Sequence, residues 1–286
     1  MVGLPTILSS RTQRLLVMVL ALVACWGTMP KPLPASDSSR APIADSVFQI
    51  GEELTYNVSY ASFDIGRVRI KLVDTLHRDG RILYRAQAFI DSYKGVPFVN
   101  LHSVYENHID TAGYSRWFFA RDKKDDSWLT FIYNFDYASR GVYITEGVWK
   151  TDSVIRRETI RIDTFYQDGL SLFYYARTQV LTPQKVNVPT LVMEKKGTTY
   201  INFTTERVKE EIDAVKYPLD LVHFTGEAGF VGIFGLTGGF EGWFSNDAAR
   251  VPILAKMKVL IGNIRIELIE WKRPGWNPPR YPEGEK

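Results

Sequence analysis

Four groups of residues in this chain have types and spacing that could do chemistry. Cys25 is the only cysteine among 286 residues and follows directly on Leu22-Val23-Ala24. A lone thiol at the end of an apolar run suits covalent attachment of lipid, while a disulfide or a cysteine-ligated zinc would need a second one. His102, Glu106 and His108 are separated by even spacings, so on a strand they share a face with Val104. Zinc accepts two histidines and a carboxylate, yet His102 and Glu106 would lie about 13 Å apart along an extended strand, too far for one ion without a bulge. Arg177 and Arg250 form the third group: two guanidiniums can hold a carboxylate or phosphate bidentately, and Trp243 and Phe234 would supply the apolar side of such a ligand pocket. The plainer reading makes Asp247 a turn cap, with Arg250 paired to it or to a nearby carbonyl. The fourth is the stretch from Gly226 to Gly242, seven glycines among Phe230, Ile233, Phe234, Leu236 and Phe240. It lacks the Gly-Lys-Ser/Thr ending of a phosphate loop and the dinucleotide spacing, so it reads as bulged strands or an apolar loop.

Other chemistry is poorly served. No G-x-S-x-G elbow occurs, and four histidines leave few candidate bases for a serine nucleophile. Thirty-two acidic residues always permit a carboxylate pair somewhere, so glycan hydrolysis stays open as an alternative. Nothing calls for a cofactor.

Around Cys25 the pattern is clear. Arg11 and Arg14 precede an apolar run from Leu15 to Trp26, and no acidic residue occurs before Asp37. This predicts a secretory signal peptide over 1–24, too short for a membrane span of about 20 apolar residues. The string LVAC resembles a bacterial lipobox, in which the cysteine is lipidated and becomes the new N-terminus. Two or three acyl chains, at about 0.8 kcal/mol per buried methylene, would hold the protein on a membrane. Residues 25–46 are rich in proline, serine and small residues and read as the lipidated N-terminus and a flexible tether. Its coil dimension is about 25 Å and its full stretch about 70 Å. Arg11 and Arg14 leave with the signal, so the 35 basic residues become 33 against 32 acidic, a net of +1. That charge gives no reason to expect a nucleic-acid partner.

Beyond Ser46 the period is two. Leu129, Phe131, Tyr133, Phe135 and Tyr137 alternate with Thr130, Ile132, Asn134 and Asp136, and similar runs occur at 53–60 and 67–72. Such alternation marks half-buried antiparallel strands. Turn signals at Asp79-Gly80, Ala112-Gly113, Arg140-Gly141 and Lys196-Gly197 divide roughly a dozen strands. Gly51 and Gly66 suit a strand entry and a bulge. One segment differs: Asp168 is an N-cap candidate for a helix running to Arg177, with Leu172, Tyr175 and Ala176 on one face. The predicted fold is mainly β: a strongly curved antiparallel sheet closing into a barrel or half-barrel, with one short helix packed against it. It forms a single domain over 47–273, with a proline-rich C-terminal tail at 274–286.

Three strings, GEELTYNVSY with Gly66, DGLSLFYYAR, and SNDAARVPI with Gly262, occur in that order. With them the chain resembles a bacterial family known as domain of unknown function 3108, over about Phe48 to Trp271. The resemblance implies an exported and frequently lipid-anchored protein and names no reaction. The resulting expectation is a non-enzymatic envelope lipoprotein, membrane-held through its N-terminal lipid and facing the periplasm from the outer membrane. It would bind an apolar or amphipathic ligand or an outer-membrane partner protein. An envelope hydrolase and a structural scaffold are the alternatives.

Overall fold

Alternating side chains become a single sheet. The structure, a computed structural model, describes residues 46–61, 63–96, 100–124, 126–229, 238–258 and 263–284. The expected signal peptide, Cys25, the tether up to residue 45, and Phe234 lie outside the described residues. The strands are β1 (Glu53–Tyr60), β2 (Phe63–Arg78), β3 (Arg81–Ser92), β4 (His102–Asp110), β5 (Ser115–Lys124), β6 (Ser127–Asp136), β7 (Gly141–Val148) and β8 (Val154–Arg161). After helix α1 (Gly169–Gln179) come β9 (Gln184–Val192), β10 (Lys195–Glu210), β11 (Leu219–Ala228), β12 (Gly238–Ser245), β13 (Pro252–Lys258) and β14 (Asn263–Lys272). Among the described residues no helix is long and apolar enough to cross a membrane.

The order is β8-β7-β6-β5-β4-β3-β2-β1-β14-β13-β12-β11-β10-β9, antiparallel throughout. Two meanders are thus joined where the first strand pairs with the last, and the free edges are β8 and β9. The sheet curls without closing. The segment between β8 and α1 covers the exposed edge instead: Gln167 N donates to Pro189 O at 2.9 Å, and Leu191 N donates to Gln167 O at 2.8 Å. Glu194, in the β9–β10 turn, accepts from Tyr133 Oη at 2.5 Å and lies 3.9 Å from Arg156 on β8. An uncovered edge would invite pairing with another chain.

Helix α1 starts where its sequence places it. Asp168 Oδ1 accepts from Leu170 N at 2.8 Å and Ser171 N at 3.1 Å, while Ser171 Oγ accepts from Asp168 N at 2.9 Å, a complete capping box. The expected single stripe is too narrow. Leu170, Ser171, Tyr174, Ala176 and Arg177 are buried, whereas Leu172 and Tyr175 are half-buried against β9–β12 side chains. A helix lying on one sheet hides one stripe; this one sits inside the curl. Tyr174 and Leu170 meet Leu54, Leu72 and Ala86 from the first meander and Leu221 and Ile253 from the second.

The C-terminal segment is no free tail. Asp220 N donates to Pro279 O at 2.9 Å, Tyr281 N to Pro218 O at 2.8 Å, and Tyr217 Oη to Pro278 O at 3.0 Å. Trp276 packs on the same core, and its Nε1 donates to Asp247 Oδ2 at 2.8 Å. Proline carbonyls remain good acceptors and tryptophan needs cover, so a segment that reads as loop docks as a strap.

Candidate functional site

The three strings that carry the family likeness come from distant parts of the chain and converge on one buried ion cluster. Glu52 comes from the first string, Arg177 from the second, and the carbonyls of Ala249 and Arg250 from the third. Arg177 Nη1 donates to Glu52 Oε1 at 2.6 Å and Nη2 to Oε2 at 3.0 Å. Nη2 also reaches Ala249 O at 3.0 Å, and Nε reaches Arg250 O at 3.2 Å. Arg273, just past β14, donates to Glu52 Oε2 and to Ser46 O. Relative exposures of 0% for Arg177, 2% for Glu52 and 8% for Arg273 show how completely water is excluded. Two guanidiniums share one carboxylate, a net positive cluster that depends on every hydrogen bond being made.

This geometry corrects the Arg177–Arg250 pocket. The Arg177 guanidinium is already taken by Glu52 and two carbonyls, with no edge left for a headgroup. Arg250 is half-buried and donates from Nη1 to Thr178 O at 2.8 Å, closing the end of α1; burial draws its guanidinium below the usual arginine range. Asp247 caps the turn as the plainer reading held, accepting from Ala249 N at 2.9 Å and Arg250 N at 3.1 Å. Trp243 leaves β12 on the face opposite Phe244. It lies against His223 and under Lys256, while Phe244 packs on the side of α1. The two arginines and Trp243 therefore do not line one ligand pocket.

The histidines find ordinary partners. His102 Nδ1 lies 2.8 Å from Asp91, His108 Nε2 lies 3.2 Å from Glu106, and Gln87 donates to the other Glu106 oxygen at 2.7 Å. No cluster of three metal-ligating side chains occurs among the described residues.

The opposite end of the curl differs. Concave side chains grade from buried near α1 to half-buried at the far ends of the strands: Phe135 and Tyr133 are buried on β6, Phe131 and Leu129 half-buried. Ile253 gives way to Met257 on β13, Phe244 to Phe240 on β12, and Ile109 to Tyr105 on β4. Ser103 and Asp122 face each other in register among these apolar groups. Ser103 Oγ and Asp122 Oδ1 are buried there, close to each other and to the Tyr105 hydroxyl. Burial pushes the Asp122 carboxyl up, against the pull of the nearby Ser103 and Tyr105 hydroxyls. Two buried polar groups thus stand beside an apolar concave surface; sequence alternation alone could show which face each residue takes but not which end of the strands is the less buried. A separate cleft of about 570 Å³ opens on the surface beside β7 and β8, with Arg140, Arg161, Asp163 and Lys196 in its wall. Its charged lining does not suit an acyl chain.

The glycine-rich stretch is partly explained by register. Gly226 pairs with Phe240, and Gly242 with Phe224. A Cβ on Gly226 would lie 2.2 Å from Phe240 Cζ and 2.6 Å from Tyr200 O, and one on Gly242 would lie 2.4 Å from Phe224 Cε1. Each phenylalanine covers the glycine across from it, as aromatics do on curved sheets.

No curated protein matches the chain. Among solved structures, a β-barrel-like protein of domain of unknown function DUF1849 from Brucella abortus is similar at a TM-score of 0.54 and 7% identity, covering 79% of this chain and 98% of that one. A candidate exported protein of YmcC-like fold from Bacteroides fragilis gives a TM-score of 0.34 at 8% identity, with the same coverages. The first likeness supports the curled-sheet fold; at such identity it says nothing of activity. A family profile described as a protein of unknown function, DUF3108, matches residues 55–269, a span that holds Arg177 and its two carbonyl partners but not Glu52 or Arg273, and the chain belongs to that family.

Proposed function

We propose that this protein is a non-enzymatic, lipid-anchored envelope protein that holds an amphipathic molecule in the open end of its curled sheet. One observation carries the reading: half-buried Phe131, Leu129, Tyr105, Phe240 and Met257 line a concave apolar surface around the buried Ser103 and Asp122 oxygens. Apolar walls with a few placed polar groups are the usual form of a small-molecule site. An acyl chain would lie on the aromatic and aliphatic surface. A hydroxyl or amine of its headgroup would donate to Asp122 and Ser103, and the carboxylate would discriminate against an anionic headgroup. The buried ion cluster and α1 close the other end, so entry is from one side.

Native mass spectrometry of protein purified from its own membrane tests this. The expected result is a bound lipid of defined mass, lost or reduced at least tenfold by Phe131→Ser. A protein that is repeatedly ligand-free, or whose bound lipid is indifferent to Phe131→Ser, overturns the proposal. Anchoring is read separately, by metabolic labelling with an alkyne fatty acid: label should vanish in Cys25→Ser.

A further inference from the structure

The outward face of β4–β7 carries a continuous aromatic strip that neither the core nor the proposed ligand site uses. His108 stacks on Trp117 at 4.5 Å, Trp117 lies 6.1 Å from Phe119, and Phe119 lies 5.8 Å from Trp149. The guanidinium of Arg121 is held between Trp128 at 4.9 Å and Trp149 at 4.7 Å. These residues alternate with the concave Phe118 and Ala120, so they face away from the core. Trp149 is 37% exposed, and beyond it Val154 and Ile155 are 43% and 54% exposed. The outward face of β1 and β2 is the opposite in kind, with Glu53, Arg67, Arg69 and Lys71 in solvent and a 2.7 Å pair between Lys71 and Glu53. The strip thus sets β4–β7 apart from β1 and β2.

We propose that this strip rests in the headgroup layer of an anionic bilayer. Tryptophans with flanking arginine and lysine are the composition that settles at a membrane interface. Arg121 Nε makes no hydrogen bond within the protein, although it is buried between the two indoles; a lipid phosphate is the acceptor that would suit it. Lys123, Lys124 and Lys150 are exposed around it, in turns whose sequence also carries Asp125, Asp126 and Asp152. The proposal rests on the anchor at Cys25. The leash from there to Ser46 stretches to about 70 Å, longer than the roughly 26 Å of the eight-residue β1. It can therefore lay this face on the membrane that holds it. Trp128 and Trp149 sit toward the open end of the curl, so docking brings the proposed ligand entrance to the lipid.

The test is quenching of tryptophan emission by doxyl-labelled lipid, using the full chain in vesicles of phosphatidylcholine with or without phosphatidylglycerol. A Trp26→Phe background removes the indole beside the anchor. Trp128→Phe with Trp149→Phe should then abolish more than half of the lipid-quenchable emission, and Trp276→Phe should abolish little. Quenching should also weaken from 0.05 to 0.5 M salt, as charge contacts to lipid do. Vesicle-bound protein whose quenching is indifferent to Trp128 and Trp149 overturns the docking while the anchor stands, and so does a strip shielded by a protein neighbour in cross-linking. Protein that stays unbound overturns the anchor reading. If it nevertheless shows Trp149-dependent quenching when vesicles are added, the docking holds without the anchor.

Discussion

The two ends of the curled sheet are built to different standards. At the α1 end the buried charged groups are paired, Glu52 with two arginines, Asp168 with the helix amides and Asn107, and Asp247 with its turn and Trp276, while the Gln167 side chain and the Tyr174 and Thr190 hydroxyls beside them make no hydrogen bond within the protein. At the far ends of the strands the concave side chains are half-buried, and Ser103 and Asp122 lie among them. The family motifs belong to the first end. In this chain the three strings contribute to a fastening that joins first strand, helix, turn and last strand, and the half-buried concave side chains lie elsewhere.

Four substitutions sharpen this contrast, from the fastened end outward. Glu52→Ala leaves Arg177 and Arg273 buried as uncompensated like charges and should destabilise by about 3–5 kcal/mol; denaturant unfolding measures it, and a loss below 1 kcal/mol would show that the cluster is not critical. Asp168→Ala removes the helix cap, about 1 kcal/mol, and takes one of the two acceptors of the Asn107 amide, leaving Ser115 Oγ, about 1 kcal/mol more. Calorimetry should show a lower Tm, with Asn at this position restoring part of it, because its oxygen still accepts from the helix amides. Gly242→Ala, midway along the sheet, should cost about 1–3 kcal/mol by overpacking, and Phe224→Leu should relieve part of that in a double-mutant cycle. Gly226→Ala should be less well relieved by Phe240→Leu, since the Tyr200 carbonyl also stands in the way.

Asp122→Asn should have the smallest effect and the opposite sign. The folded carboxyl titrates above its unfolded value of about 3.9, so the native state binds the proton more tightly than the unfolded chain. The contribution of Asp122 is therefore fully present below about pH 4 and is lost as pH rises through the folded value. The asparagine variant should be the more stable at pH 7, by less than about 1 kcal/mol, with the Tm difference closing as pH falls toward 4. A difference that widened on acidification would mean that Asp122 has a cationic partner.

Local physics was legible in the residues. Period-two alternation gave the strands and their buried faces, because a half-buried strand has no other economical pattern. The Asp168 cap and the Asp247 turn could be read directly, since each side chain bonds amides within three residues of itself. The partner of Arg177 could not: Glu52 lies 125 positions away, and Arg273 lies 221 from Glu52. Any of 32 acids might have been paired with that arginine until the fold brought one to it. The face of Trp243 was decided by strand parity beside a bulge, and the docking of 274–284 by carbonyls on prolines that carry no periodic signal.

The sequence by itself thus determined a mainly β chain, one capped helix and the turns between strands, because those follow from contacts a few residues long. Tertiary structure decided that the helix enters the curl, that three separated motifs close on one carboxylate, and that concave side chains far from the helix stay half-buried. Those outcomes depend on which distant surfaces meet, and burial and charge pairing act only after the chain has brought them together.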